Sequence, residues 1–138
     1  MEAAMMSGFL WPLVLAMGCC VASSCGAYSG KFQLTDFRVI SRGQDEGGDF
    51  CRDFNLTPAQ VSWIMRRAKA LTAPRQHSDF DHLPCWVRGT ARRGKNLWQW
   101  EVRAGGTVRL VTSNGTVRLL GCSECDSLLR GQEEPLPK

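Results

Sequence analysis

The sequence predicts an α+β domain: one main helix packed on a four- to five-stranded antiparallel meander sheet. Three observations predict it. Leu56 to Leu71 opens on a helix start signal and continues with apolar residues at helical spacing. Leu83 to Cys125 reads as four short alternating segments separated by tight turns. The apolar residues of those segments share one parity, so the sheet needs an apolar cover, and the helix offers one.

A chain of 138 residues with ordinary globular composition holds one domain at most. The expected division is a leader at 1–27, a single domain at 28–130 and a polar, proline-containing tail at 131–138. Met5 to Ala27 carries no charge, and its apolar run from Phe9 to Val21 is followed by small residues, the layout of a secretory signal. It departs from that layout in having no Lys or Arg ahead of the run. The run contains Pro12 and is short for a spanning helix. Ala16-Met17-Gly18-Cys19 and Ala22-Ser23-Ser24-Cys25 each loosely resemble a bacterial lipobox, which makes Cys19 and Cys25 lipidation candidates; simple cleavage after Ala27 competes. The net charge of +4 becomes +5 once Glu2 is removed with the leader. So small an excess does not by itself indicate nucleic acid.

Within the domain, Lys31 to Ile40 is β-rich, but its apolar parity breaks at Thr35-Asp36, so a bulge is expected there. Ser41 to Asp49 reads as a polar loop. Thr57 is the helix N-cap, Pro58 suits the first helical position, and Gln60 completes a capping box. Leu56 and Val61 occupy the two places of a hydrophobic staple. Val61, Ile64, Met65, Ala68 and Leu71 form the apolar face, and Pro74 places the helix end near Thr72. Ala73 to Pro84 is expected as a loop. In the four strands that follow, Val87, Trp98, Trp100, Val102, Val108, Leu110, Val117 and Leu119 form the expected inner face. The turns are Arg92 to Asn96, Ala104 to Gly106 and Ser113 to Gly115, the last containing the Asn-Gly hairpin signal.

Three groups of residues could carry chemistry. Cys51, Cys85, Cys122 and Cys125 remain after leader removal, an even number suited to two disulfides in an oxidising compartment. An up-down meander puts Cys85 and Cys122 at one end of the sheet but three strands apart, roughly 14 Å. The favoured pairing joins Cys85 to Cys122 or Cys125, with the sheet curled or the Cys-Ser-Glu-Cys loop returning, and Cys51 to the remaining cysteine. A redox pair or part of a zinc site are the alternatives for Cys122-Ser-Glu-Cys125. The acidic Glu124 and Asp126 disfavour a thiolate there, and one C-x-x-C lacks a second at matching spacing.

His77, Asp79, Asp81 and His82 gather both histidines and two carboxylates in six residues, a candidate site for zinc or for acid–base work, against the plainer reading of a polar surface loop. Arg88, Arg103, Arg109 and Arg118 share the expected outer parity, with Trp86 on the same face, a candidate surface for anionic ligands. Glu101 sits among them and no aromatic pair is present to stack bases, so nucleic acid is not an expected partner. No phosphate loop, Gly-x-Ser-x-Gly elbow or His-Glu-x-x-His occurs.

Phe54-Asn-Leu-Thr-Pro-Ala-Gln, Leu83-Pro-Cys-Trp-Val-Arg-Gly-Thr, Trp98-Gln-Trp-Glu-Val-Arg-Ala-Gly-Gly and Cys122-Ser-Glu-Cys resemble segments of small exported or lipoprotein-like bacterial proteins. The resemblance covers roughly half the chain and implies export without implying an activity. The order strand, helix, four-strand meander also looks like the cystatin layout, in topology alone. The expected function is a non-enzymatic exported domain, periplasmic or membrane-anchored, that binds an unknown protein or an envelope component and uses no cofactor. The alternative is a small metal-binding protein or metal-dependent enzyme using zinc at His77 to His82.

Overall fold

In the computed structural model, residues 33–46 and 49–130 are described. The leader with Cys19 and Cys25, and the tail 131–138, lie outside them. The elements are β1 (Thr35–Gln44), a 3-10 turn (Asp49–Cys51), α1 (Pro58–Arg67), β2 (Lys69–Ala70), α2 (Ala73–Asp79), β3 (Cys85–Arg93), β4 (Asn96–Arg103), β5 (Thr107–Val111), β6 (Val117–Gly121) and α3 (Asp126–Leu129). All strands belong to one antiparallel sheet in the order β1-β3-β4-β5-β6-β2.

This corrects the expected fold. The class is α+β, but the sheet has six strands, and the helices are small, of ten, seven and four residues. No main helix dominates a four- or five-stranded sheet. The cause lies after Arg67. Ala68 leaves helical geometry with ψ 138°, and Lys69–Ala70 pairs with Gly121 and Leu120 of β6. The Leu71 N–H donates to the Leu119 carbonyl at 2.9 Å. The edge of β6 gains backbone partners that further helical turns would not give it. Ala68 and Leu71 continue the helical spacing only in sequence. Pro74 then sits in the first turn of α2, where its missing N–H costs nothing, so the expected loop opens on a second helix.

The start of α1 follows the sequence signal. The Thr57 hydroxyl accepts from the Gln60 N–H at 3.2 Å, and the Gln60 carboxamide oxygen accepts from the Thr57 N–H at 2.8 Å. Leu56, Val61, Trp63, Ile64 and Met65 are buried. β1 contains the expected irregularity: the register shifts between Thr35 and Arg38, with Asp36 at φ 49°. It shifts again between Val39 and Ser41, and the strand runs on to Gln44, where the sequence suggested a loop.

Cross-strand partners project to the same face of an antiparallel sheet, so the register assigns the faces. Val87 faces Val102, Ala91 faces Trp98, Trp100 faces Leu110, and Val108 faces Leu120. All eight are buried and form the sheet's side of the core, which α1 covers. Gly89 faces Trp100, and a Cβ there would collide with the Trp100 ring and the Arg38 carbonyl. The Trp100 ring nitrogen donates to the Thr90 carbonyl at 2.8 Å. The expected parity fails in β6. Leu120 is buried, whereas Val117 and Leu119 face outward beside Val111 and Arg109.

The cysteine pairing also differs from the favoured one. Cys51 bonds Cys85, with Cα atoms 5.1 Å apart, and Cys122 bonds Cys125, with Cα atoms 5.5 Å apart. Two strands separate β3 from β6, so Cys85 stays out of reach of the Cys122 loop. The Gln44 end of β1 lies beside Cys85, and the Asp45 N–H donates to the Pro84 carbonyl at 3.0 Å. The 3-10 turn therefore delivers Cys51 to Cys85.

The chain crosses between the two halves of the sheet twice. α1 leads from the β1 side to β2 at the opposite edge, and Phe80 to Pro84 leads back to β3. Glycines make the return possible: a Cβ on Gly121 would run into Phe80 and Leu71, and one on Gly105 into the Asp81 carbonyl.

The two disulfides should differ in weight. The first closes a separation of 34 residues and the second a separation of 3. Chain entropy assigns roughly 4 kcal/mol to the first and under about 2 kcal/mol to the second. Denaturant unfolding of Cys51→Ala/Cys85→Ala should therefore show the larger loss, and a larger loss in Cys122→Ala/Cys125→Ala would contradict this ranking.

Candidate functional site

The outer face of the sheet carries three of the four expected arginines. Trp86 packs against Gly43, whose hypothetical Cβ would meet the indole carbons at 2.5 and 2.8 Å. The Arg88 guanidinium stacks over the same indole, 3.8 Å from its centre. Trp86 is thus packed against Gly43, and Arg88 occupies one face of its ring. The Arg88 Nε donates to Glu101 at 2.6 Å, Arg103 donates to the other Glu101 oxygen at 2.8 Å, and Arg103 also donates to Asp45 at 2.7 Å. Arg88, Glu101, Arg103 and Asp45 therefore form one continuous chain of ion pairs across β3, β4 and the end of β1. The Glu101 side chain is 13% exposed, which makes it the sheltered centre of that chain.

Arg109 stands apart. It is the register partner of Glu101, yet makes no ion pair among the described residues. With Arg88, Thr90, Gln99, Val111 and the exposed Ile40 it lines an open recess of about 380 Å3. Arg38 and Arg92 of the same face share the Asp36 carboxylate at 3.4 Å each, so Arg109 is the outer-face arginine without an ion pair among the described residues, beside a polar floor and apolar margins in Ile40, Val111 and Val117.

Arg118 is not part of this surface. Its register partner is Leu110, which points to the inner face. The Arg118 guanidinium lies 5.8 Å from the Trp98 ring centre, and Arg93 lies 5.6 Å from the same ring. The parity slip in β6 removes Arg118 from the expected arginine set and puts Val117 and Leu119 in its place. A period-two pattern in Val117-Arg-Leu-Leu-Gly fits either face, so the sequence did not distinguish them.

His77, Asp79, Asp81 and His82 do not assemble as one ligand set. Among the described residues there is no group of three or more side chains placed to hold a metal ion. Asp79 accepts from Arg75 at 2.9 Å and from the Ser78 hydroxyl at 2.6 Å. These bonds hold its carboxyl below the ordinary value near 3.8, Ser78 contributing most. Asp81 instead lines a second recess, of about 590 Å3, with Phe50, Phe54, Leu83 and Asp126. The two histidines do meet: His77 Nδ1 and His82 Nε2 are 2.9 Å apart.

Cys122 and Cys125 are buried and bonded to each other. In this state neither sulfur is a free ligand for zinc or an accessible target for thiol exchange.

No known protein family, curated protein or solved structure matches this chain. No helix among the described residues is long and apolar enough to cross a membrane. Two disulfides are the mark of an oxidising compartment.

The ion-pair chain makes stability depend on acid. The hydrogen bond from Arg103 is the main cause that holds the Asp45 carboxyl below its ordinary value near 3.8. A carboxyl depressed in the folded state stabilises the fold above its unfolded value, and that contribution disappears as pH falls through the folded value. Thermal melts should show Asp45→Asn less stable than the parent above about pH 5, with the gap closing as pH drops below Asp45's ordinary value. A gap that stays constant down to the acid limit would show that Asp45 does not act through its charge.

Proposed function

We propose that the chain is an exported, non-enzymatic binding domain and that its ligand surface is the outer face of the sheet. Arg109 carries this reading: it is a cation without an ion pair among the described residues, in an open recess, on a face whose other arginines, Arg38, Arg88, Arg92 and Arg103, all hold carboxylates. The ion-pair chain around Glu101 fixes the floor beside it, so a ligand meets a surface already in place. One positive charge flanked by Ile40, Val111 and Val117 suits a partner that presents a single carboxylate or phosphate beside an apolar group. A protein partner or an envelope component meets that description.

The setting we infer is the bacterial envelope. The uncharged stretch Met5 to Ala27, the lipobox-like Cys19 and Cys25, the resemblance to exported bacterial proteins and the disulfides all favour it. Acylation at Cys19 or Cys25 would tether the domain to a membrane, and cleavage after Ala27 would leave it free in the periplasm.

Photo-crosslinking in the producing organism tests the surface. A photoreactive residue at Gln99, on the exposed outer face, should yield a discrete adduct that disappears when Arg109→Glu is added. The same group at Arg75, on α2, should not yield it. Equal adducts from both positions, or an adduct indifferent to Arg109→Glu, would overturn the assignment of this face.

A further inference from the structure

We propose that His77 and His82 form a binding site for a divalent transition ion of the copper, nickel and zinc group. The site is independent of the outer sheet face, and it is not the four-residue set expected from the sequence. Three observations carry it.

The first is the spacing. His77 Nδ1 and His82 Nε2 face each other at 2.9 Å, with ring centres 4.8 Å apart. Imidazole nitrogens bind these ions at about 2.0 to 2.1 Å. Two such bonds at right angles put the nitrogens about 2.9 Å apart, and at a tetrahedral angle about 3.3 Å. The pair stands at the spacing of neighbouring corners of a tetragonal copper or nickel centre, and within a small ring movement of the tetrahedral spacing of zinc. Both side chains are exposed, so that movement meets no packing resistance and water can complete the coordination.

The second is the way the two rings are held. His77 lies in the last turn of α2, which is braced by the Arg75–Asp79 ion pair at 2.9 Å. His82 lies on the segment that returns to β3. Phe80 packs over Gly121 and Gly106, the Asp81 carbonyl abuts Gly105, and the Pro84 carbonyl accepts from Asp45. Both backbone anchors are therefore tied to the sheet, one through the helix and one through the crossing. The ordering cost of bringing two histidines together is met by the fold before any ion arrives.

The third is the donor type. Two neutral imidazoles select borderline transition ions and give little to Mg2+ or Ca2+, which take oxygen ligands. With both rings neutral, one proton lies between the facing nitrogens in the ion-free pair. On binding, both facing lone pairs turn to the ion, and that proton moves through water to the far nitrogen of its own ring. The rings then carry their protons on His77 Nε2 and His82 Nδ1, and no net proton is released.

The test uses the mature, oxidised chain, stripped of metal with a chelator and titrated with Cu2+ by calorimetry. Electron paramagnetic resonance is recorded at one equivalent. The expected result is one ion per chain and a spectrum with couplings to two imidazole nitrogens. His77→Ala and His82→Ala should each weaken affinity at least about tenfold and remove one of the couplings. Thermal melts without metal check that both variants remain folded. Unchanged affinity in both variants would place the ion elsewhere and overturn the proposal. No Cu2+ binding at micromolar concentration would reduce the pair to a hydrogen bond and overturn it equally. Mg2+ binding of similar strength would contradict the donor argument.

Discussion

The bond between Cys51 and Cys85 is the constraint on which the rest of the arrangement depends. It ties the turn that follows β1 to the first residue of β3. From that fixed point the chain enters α1 under the Thr57 capping box, with Leu56 and Val61 buried beside the core. The helix is thereby laid against β1 on the inner face of the sheet, where its buried residues join the sheet's core cluster. Because one layer of helix covers that face, the other face stays open to solvent. The same bond keeps the end of β1 next to β3, where Asp45 reaches Arg103 and completes the ion-pair chain. The staple thus positions the core on one side of the sheet and the candidate binding surface on the other.

Charge on the open face is organised by neutralisation. Glu101 lies between two arginines and is largely sheltered, so both of its oxygens are committed. Trp86 packs against Gly43 and is stacked by Arg88. Arg38 and Arg92 share Asp36, and the arginine left without an ion pair among the described residues is Arg109, beside a margin of aliphatic side chains. A face that looks broadly basic in sequence therefore presents most of its arginines already paired. The paired histidines sit on a different element, the helix and loop that carry the chain from β2 back to β3. The domain presents two unrelated surfaces, joined only through the frame that holds them.

Much of the frame is legible in the sequence because it depends on local signals. The α1 capping box, the bulge near Thr35-Asp36, the parity of β3, β4 and β5 and the Asn114-Gly115 turn are short-range features, and each appears where its residues place it. The departures are long-range. Lys69–Ala70 becomes a strand only because β6 has a free edge there, and nothing in those two residues signals it. The β6 parity is undecided within Val117 to Leu120 and is set by its register with β5. The cysteine pairing depends on where β1 delivers the chain, not on spacing between cysteines. Among the candidate site residues, the sequence brings His77 and His82 close, but Arg75 and Ser78 capture Asp79, and Asp81 lines the recess with Phe54 and Asp126.

Disulfide mapping of the oxidised protein tests this account most directly. Proteolysis under non-reducing conditions, at acid pH to prevent exchange, followed by mass spectrometry of the linked peptides, reports the pairing without reference to any ligand. The account predicts one linkage between the peptides holding Cys51 and Cys85, and a second within the Cys122–Cys125 segment. A linkage from Cys85 to Cys122 or Cys125 would require the sheet to curl until β3 and β6 meet, and would contradict both the open outer face and the surface assigned to it.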